Sequence, residues 1–318
     1  MKKNKLTIVI PVYNTEKYVE ETILSVLNQS FSNFELVIIN DGSLDRSGEI
    51  LQHMRKKDSR VTIIQQDNRG LSAVRNRGMD FSNSEYIYFL DSDDVLVDGS
   101  LEKVMNLAES TNCDMVHFSS YSIDAEGNRI TKHRIKQYRQ LIPLQGEKLL
   151  YELYSSKNYH TNVQKYIFRK QFLLDHNLRF DDGYIHEDEA FTLEALCLAK
   201  KVTSIDEPLL KKRFRAGSIM SSKKNEYNIE SYAKAVSRLI QFMDKHSFNK
   251  ETQYIIRSKI RQLTLRCIHL IYTMNESDNG KRKIEDYFAI RDVIKAGWDL
   301  YFKSKVYGPY QAVKKRLP

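Results

Sequence analysis

The sequence predicts an α/β protein with a mostly parallel central sheet, followed by a helical C-terminal region. Five short apolar runs in the first 120 residues have the Ile, Val and Leu content of buried strands. Segments with helix-period apolar spacing separate these runs, as expected for a sheet covered by helices on both faces. From about residue 226 onward the pattern is helical and rich in Lys, Arg and Tyr.

Strands and helices alternate along the first part of the chain. The predicted strands are residues 6–12, 34–39, 61–64, 86–90 and 115–118. The predicted helices between them are residues 16–27, 45–55, 71–81 and 101–107. In the first helix Val19, Ile23 and Val26 share one face, which indicates a helix packed against the sheet.

The pattern is less regular after residue 120. Residues 124–128 (Asp-Ala-Glu-Gly-Asn) predict a hairpin turn. Further elements are predicted as helices at 146–154, 170–176 and 187–200 and a strand at 202–205. We place a domain boundary near residues 221–224, which divides the chain into domains 1–222 and 223–318.

Composition limits the class of protein. Cys113, Cys197 and Cys267 lie far apart without a CxxC pair, which argues against a disulfide framework or zinc cage and favours a reducing compartment. The apolar run at 6–12 is short for a signal peptide and contains a proline, and no run of about 18 apolar residues exists. We therefore expect a cytoplasmic protein that is soluble or lies peripherally at the inner face of the membrane.

The net charge of +9 is concentrated in two basic stretches, residues 129–139 and 303–318. Such stretches attract phosphate on lipids, nucleic acids or substrates, or they form a solvated face. In the second stretch, aromatic and basic residues interleave, which suits an anionic membrane surface. Core or homodimer contacts explain these aromatics equally well. Nucleic-acid binding is the weakest reading, because no recognised motif is present.

Polar, turn-forming residues follow four of the predicted strands. They lie at 11–16 (Pro-Val-Tyr-Asn-Thr-Glu), 40–43 (Asn-Asp-Gly-Ser), 67–70 (Asp-Asn-Arg-Gly) and 91–94 (Asp-Ser-Asp-Asp). In parallel sheets, ligands bind beyond the carboxyl ends of the strands, so these four loops predict a site. Each loop taken alone also fits an ordinary turn or helix cap.

The segment 91–94 carries closely spaced carboxylates at a strand end. Alternation on an extended chain directs Asp91 and Asp93 to the same side. Their charges repel unless a cation intervenes, and Mn²⁺ or Mg²⁺ binds carboxylates together with substrate phosphates. The sequence therefore indicates a divalent metal at the carboxylates of Asp91 and Asp93; a solvated turn that caps the following helix is the alternative.

These motifs resemble family 2 glycosyltransferases, which have the GT-A fold and in bacteria build surface polysaccharides. The resemblance spans residues 6–110 through Pro-Val-Tyr-Asn (11–14), Asp-Gly-Ser-Leu-Asp (41–45), Asn-Arg-Gly-Leu-Ser-Ala-Val-Arg-Asn (68–76) and Tyr-Ile-Tyr-Phe-Leu-Asp-Ser-Asp-Asp (86–94). The chain departs at Asn40, where Asp is frequent, and at Val74, where Ala is frequent.

The resemblance implies a nucleotide-diphospho-sugar donor site in residues 1–95 and an acceptor half in residues 96–222. Asp41 would bind the uracil ring, Asp91 the ribose and sugar, and Asp93 the metal on the diphosphate. Arg75 would add a positive charge there, or form a buried salt bridge. The residues implied in donor binding are Pro11, Val12, Tyr13, Glu16, Asp41, Asn68, Gly70, Arg75, Asp91, Ser92 and Arg213.

A second cluster, His-Glu-Asp-Glu at 186–189, opens a predicted helix. The helix dipole stabilises negative charge there, so we expect Asp188 to be ionised at neutral pH. By resemblance Asp188 would be the general base, with His186 and Glu187 on the acceptor side; helix-start chemistry is the alternative. The segment 212–218 resembles the family's Tyr-Arg stretch, with Lys212 at the Tyr position and Arg213 at the Arg position, unless it is a basic surface strand.

The sequence thus predicts an inverting glycosyltransferase that moves a sugar from a UDP-sugar to a hydroxyl of a growing surface polysaccharide or a lipid-linked oligosaccharide. A catalytically inactive sugar- or nucleotide-binding module is the alternative. A sugar nucleotidyltransferase ranks lower, because the loop after the first strand has no glycine to form a phosphate-binding turn.

Overall fold

The structure is a computed structural model that describes residues 4–130, 143–215 and 225–277. These residues group into two compact units, Met1–Lys223 and Lys224–Pro318. The elements of the first unit are, in chain order, β1 (Leu6–Val12), α1 (Val19–Leu27), β2 (Phe34–Asp41), α2 (Ser47–Lys57), β3 (Val61–Gln66), α3 (Leu71–Phe81), β4 (Tyr86–Phe89), β5 (Val95–Leu96), α4 (Ser100–Thr111), β6 (Met115–Ile123), α5 (Gly146–Ser155), β7 (Tyr166–Arg169), α6 (Lys170–Asp175), α7 (Asp188–Leu198) and β8 (Val202–Arg213).

The strands form one mixed sheet in the order β3-β2-β1-β4-β7-β6-β8-β5. The half built from β3, β2, β1 and β4 is parallel, whereas β7 runs antiparallel to both β4 and β6. β6 and β8 pair in parallel through an irregular register, and β5 pairs antiparallel with β8. The predicted α/β architecture is confirmed in this unit.

The five apolar runs all form strands; the side chains of four of these runs are buried, whereas β3, at one end of the sheet, is mostly only partly buried. Every residue of β1 is buried, and β2 is buried except at Glu35. A Cβ on Gly78 would overlap the side chain of Val9, so this glycine lets α3 lie close against β1. That close approach positions α3 beside the carboxyl ends of the central strands.

Two strands were not predicted from the sequence. β7 has four residues and β5 has two, and both pair with strands that are distant in the sequence. The strand predicted at 202–205 extends to Arg213, because it continues past an irregularity in its pairing with β6. The hairpin turn at 124–128 is present, with the N–H of Asp124 donating to the carbonyl of Asn128 over 2.9 Å.

The second unit is helical over its described part, as predicted. It contains α8 (Glu226–Lys245) and α9 (Lys250–Ser277). Asn225 is the N-cap of α8 and forms a capping box with Asn228, whose Oδ1 accepts the backbone N–H of Asn225 at 2.9 Å. No helix in the described ranges is long and apolar enough to cross a membrane. Most of the first basic stretch and all of the second lie outside the described residues.

Candidate active site

The loops that follow β1 and β2 are joined by hydrogen bonds. Asn14 Oδ1 accepts the N–H of Leu44 at 2.8 Å, and Glu16 Oε2 accepts the N–H of Arg46 at 2.9 Å. Tyr13 is 46% exposed at this edge, while Pro11 and Val12 are buried inside β1. Of the four residues predicted here to bind the donor, Pro11 and Val12 are therefore buried in the strand, whereas Tyr13 and Glu16 reach the surface.

Asp41 ends β2 and organises the loop before α3. Its Oδ1 accepts hydrogen bonds from Gln66 Nε2 at 2.7 Å and from the N–H of Arg69 at 2.9 Å, and its Oδ2 accepts the N–H of Gly70 at 2.8 Å. Gly70 adopts a φ of 84°, a conformation that favours glycine. A carboxylate has about four lone-pair positions, so Asp41 keeps capacity for one further donor.

The acidic segment after β4 is held by a residue that sequence analysis missed. Gln164 is fully buried, and its Nε2 donates to Asp91 Oδ2 at 2.6 Å and to Asp94 Oδ2 at 2.7 Å. Its Oε1 accepts the N–H of Asp91 at 2.9 Å. Ser92, between the acidic residues, is buried. One amide side chain therefore sets the positions of both carboxylates.

Asp94 links this segment to β8. Its Oδ1 accepts the N–H of Arg213 at 2.6 Å. Burial, reinforced by the charges of Asp93 and Asp91, raises the pKa of Asp94 to about 8. Sequence analysis assigned Asp94 no role; in the structure it connects the acidic loop to the far strand.

Asp93, the predicted metal ligand, is paired with an arginine. Its Oδ2 accepts a hydrogen bond from Arg215 Nε at 2.6 Å. Burial, and then the charge of Asp91, raises the pKa of Asp93, against the opposing effect of Arg215. Arg215 therefore offsets only part of the cost of placing the negative charges of Asp91 and Asp93 together in this loop.

The residues of this loop fit a divalent cation. Within the described ranges, no group of three His, Cys, Asp or Glu side chains could hold a metal alone. Mg²⁺, however, is often bound by one or two carboxylates plus substrate phosphates, so such a group is not required. Asp93 and Asp91 are partly buried carboxylates separated by one residue, and Asp93 already pairs with a positively charged group, the guanidinium of Arg215. These are the oxygen donors that Mn²⁺ or Mg²⁺ prefers.

Arg75 connects the acidic loop after β4 to the residue that precedes α7. From α3, its guanidinium donates to Asp91 Oδ1 at 2.7 Å and forms an ion pair with Glu187. The Arg75 and Glu187 side chains are 3% and 5% exposed. Burial raises the pKa of Glu187 while Arg75 lowers it, so each charge depends on the other. The structure thus shows the buried salt bridge that the sequence had left as an alternative for Arg75.

Asp188 occupies the first turn of α7, directly after Glu187. Burial among protein atoms, followed by the charges of Glu187 and Glu189, raises its pKa to about 8. The prediction that the helix dipole keeps Asp188 ionised at neutral pH is therefore wrong, because desolvation outweighs the dipole. His186 has a φ of 59°, an uncommon conformation for a non-glycine residue that turns the chain into α7.

Arg213 is enclosed rather than open to a ligand. Its guanidinium donates to the carbonyls of Asp93, Asp124 and Ala125 and to the Glu21 carboxylate. Four of its five N–H donors are engaged in these bonds, so its role in donor contact stays a prediction. Arg215, which also lies in the segment 212–218, is the arginine that donates to Asp93 of the acidic loop.

Comparison with known proteins gives a family assignment. The profile described as Glycosyl transferase family 2 matches residues 7–181, which is more than half of the chain. The chain belongs to glycosyl transferase family 2. The matched range contains the loops at 11–16, 40–43, 67–70 and 91–94 together with Gln164. Asp188 lies beyond it, and its role as a base stays a prediction. The predicted family and enzyme class, glycosyltransferase, are confirmed.

Two curated bacterial relatives illustrate the match. The uncharacterized glycosyltransferase EpsJ of Bacillus subtilis is 32% identical over 205 residues, covering 64% of this chain and 59% of EpsJ. Glycosyltransferase GlyA of Streptococcus pneumoniae is 29% identical over 228 residues, covering 68% of this chain and 31% of GlyA. The chain therefore spans less than two thirds of the length of these relatives.

Solved structures confirm the predicted GT-A fold. A structure of S. aureus TarS residues 1–349 in complex with UDP-GlcNAc superposes with a TM-score of 0.66 at 19% identity, covering 92% of this chain and 80% of that TarS fragment. A mannosyltransferase of Pyrobaculum calidifontis, in complex with GDP-Man and Mn²⁺, gives a TM-score of 0.57 at 11% identity and covers 99% of this chain and 84% of that protein. At these identities the likeness concerns the fold.

Proposed function

We propose that this chain transfers a sugar from a UDP-sugar to a hydroxyl of a saccharide acceptor, with inversion at the anomeric carbon. The observation that carries the proposal is the buried ion-pair bridge from Asp91 through Arg75 to Glu187. This bridge ties the donor-side acidic loop to the residue that precedes Asp188. The TarS structure, which contains UDP-GlcNAc, supports a nucleotide-sugar donor in this fold.

Asp188 takes the acceptor's proton in this proposal. The hydroxyl oxygen attacks the anomeric carbon opposite the departing UDP, and Asp188 receives the hydroxyl proton as the bond forms. Its pKa of about 8 suits this task, because a base is most effective when its pKa lies near the working pH. Glu187 and Arg75 hold α7 and the acidic loop together, so both reactants meet in a fixed geometry.

Asp93, with Asp91 beside it, is proposed to hold Mn²⁺ or Mg²⁺ together with the donor diphosphate. Such an ion offsets the charge that develops on the departing diphosphate. Arg215 pairs with Asp93 Oδ2, so Asp93 Oδ1 would be the oxygen available to an ion while that pair is kept. The Mn²⁺ in the neighbouring mannosyltransferase structure supports this assignment.

The proposed acceptor is a growing surface polysaccharide or a lipid-linked oligosaccharide. We place the protein in the cytoplasm, peripherally at the inner face of the membrane. The proposed attachment uses basic and aromatic residues of 303–318 and their neighbours, which lie outside the described residues. A homodimer through the same aromatics is the competing use of this segment.

A panel of UDP-sugars tested by calorimetry, with and without Mn²⁺, followed by a UDP-release assay, tests the proposal. Asp188→Asn is expected to bind the donor normally and to lose transfer about 10²–10⁴-fold, the usual contribution of a general base. Asp175→Asn, on the exposed side of α6, is the control and should keep full activity.

Full transfer by Asp188→Asn would show that the base is elsewhere. A donor affinity that does not depend on Mn²⁺ would contradict the role of Asp93. An inactive sugar- or nucleotide-binding module, the alternative, would bind one UDP-sugar of the panel and release no UDP.

A further inference from the structure

Two lysines near Asp188, Lys165 and Lys212, make no hydrogen bond through their ammonium groups within the described residues. Lys165 follows Gln164 directly, and Lys212 lies on β8 directly before Arg213. Within the described part of the chain, neither side-chain ammonium has a hydrogen bond or an ion pair. Both side chains are only partly exposed, so water screens their charges incompletely.

The residues that adjoin the two lysines meet at Asp94, where Gln164 Nε2 donates to Oδ2 at 2.7 Å and the N–H of Arg213 donates to Oδ1 at 2.6 Å. Burial, followed by the charge of Lys212, lowers the pKa of Lys165 to about 8. Lys212 in turn lowers the pKa of Asp94 and of Asp188. Two partly buried like charges repel each other; Asp94 and Asp188 offset part of this repulsion, and an anion bound between the lysines would offset more of it.

The side chain of Lys212 points to a different side of β8 from the side chains of Arg213 and Arg215. Successive side chains on a strand point to opposite sides. The Arg213 side chain reaches Glu21 and lies over the Tyr18 ring at 5.2 Å. Arg215 lies over the same ring at 5.3 Å and pairs with Asp93. Lys212 therefore points to the side of β8 opposite the arginines that surround the metal-ligand candidate.

We propose that Lys165 and Lys212 bind a phosphoryl group carried by the acceptor, next to the hydroxyl that Asp188 deprotonates. This inference rests on the proposed function, because it assigns the charge of the acceptor in that reaction. A phosphoryl group accepts several charge-assisted hydrogen bonds and would satisfy both ammonium groups. A neutral saccharide would leave both lysines unpaired in the substrate complex. A phosphodiester polymer and a lipid diphosphate share the chemistry that this site recognises.

Calorimetry on the full chain saturated with UDP and Mn²⁺ tests the site. The probes are glycerophosphoglycerol for a phosphodiester, farnesyl diphosphate for a lipid diphosphate, and glycerol as the uncharged comparison. Lys165→Met and Lys212→Met are each expected to weaken binding of one phosphorylated probe about tenfold, the effect of removing one charge-assisted hydrogen bond. The probe that responds identifies the source of the phosphoryl group.

Lys211→Met is the matched control, since Lys211 adjoins Lys212 on β8, is likewise only partly exposed, and points to the other side. It should bind the probes as the unmodified chain does, and Lys165→Arg should restore most of the affinity. The affinity for UDP should change less than twofold in all variants. Circular dichroism melting identifies any variant that fails to fold, and Lys165→Arg then provides the decisive comparison.

Equal loss of UDP affinity in the lysine variants would overturn the proposal, because the pair would then serve the donor diphosphate. Unchanged probe binding in both variants, or binding of glycerol as tight as that of the phosphorylated probes, would overturn it as well. Failure of the proposed function looks different: no UDP-sugar binds or is cleaved, while lysine-dependent binding of a phosphorylated probe without UDP remains.

Discussion

Replacing Gln164 by methionine tests whether one buried amide holds the acidic loop. Methionine keeps the length of the side chain but removes donors to Asp91 and Asp94 and the acceptor for the N–H of Asp91. A hydrogen bond is worth about 1 kcal/mol net, and one to a charged group about 1.5–3 kcal/mol. Because Gln164 is fully buried, water cannot replace these partners, and we expect a loss of about 3–5 kcal/mol of unfolding free energy.

Urea denaturation followed by far-ultraviolet circular dichroism measures this loss. Gln171→Met is the control: Gln171 also donates to an aspartate, Asp175, at 2.7 Å, but on the exposed side of α6. Surface substitutions usually change stability by less than about 0.5 kcal/mol, so the control should stay near zero. A loss below about 1 kcal/mol for Gln164→Met, or equal losses for both variants, would refute the reasoning.

Three further predictions concern charge and burial. Folding raises the pKa of Asp188 from 3.8 to about 8, so the protein should lose stability as the pH rises through this window. Asp188→Asn should reduce this pH-dependent change in unfolding free energy, measured by urea denaturation, by on the order of 2 kcal/mol after allowance for partial exposure. Arg75→Met should cost about 3–5 kcal/mol by leaving Glu187 and Asp91 unpaired, and Glu187→Gln in the same chain should recover part of that loss in a double-mutant cycle. A thiol reagent such as DTNB should label the folded protein little and should label it fully in denaturant, because its cysteines are buried: Cys113, Cys197 and Cys267. A steep pH profile in Asp188→Asn, additive losses in the cycle, or rapid labelling of the folded chain would each contradict these expectations.

The parallel half of the sheet was predictable because its apolar runs alternate regularly with segments of helical period. Residues 6–12 coincide with β1, and 71–81 with α3. The antiparallel strand β7 was not predictable, because it lies outside that regular alternation and its pairing depends on β4 and β6, which are distant in sequence. The role of Gln164 was missed for the same reason, because 73 and 70 residues separate it in sequence from Asp91 and Asp94, the aspartates that it binds.

The candidate site divides in the same way. Local sequence was enough to place Asp41, Asp91 and Asp93 at strand ends, on the edge of the sheet where a ligand is expected. The folded structure then shows which charges meet: Arg75 with Glu187, Arg215 with Asp93, and Lys212 near Asp188. It also reversed the expected charge state of Asp188. The dipole of a helix can be inferred from local sequence, whereas desolvation depends on every element packed around the carboxylate.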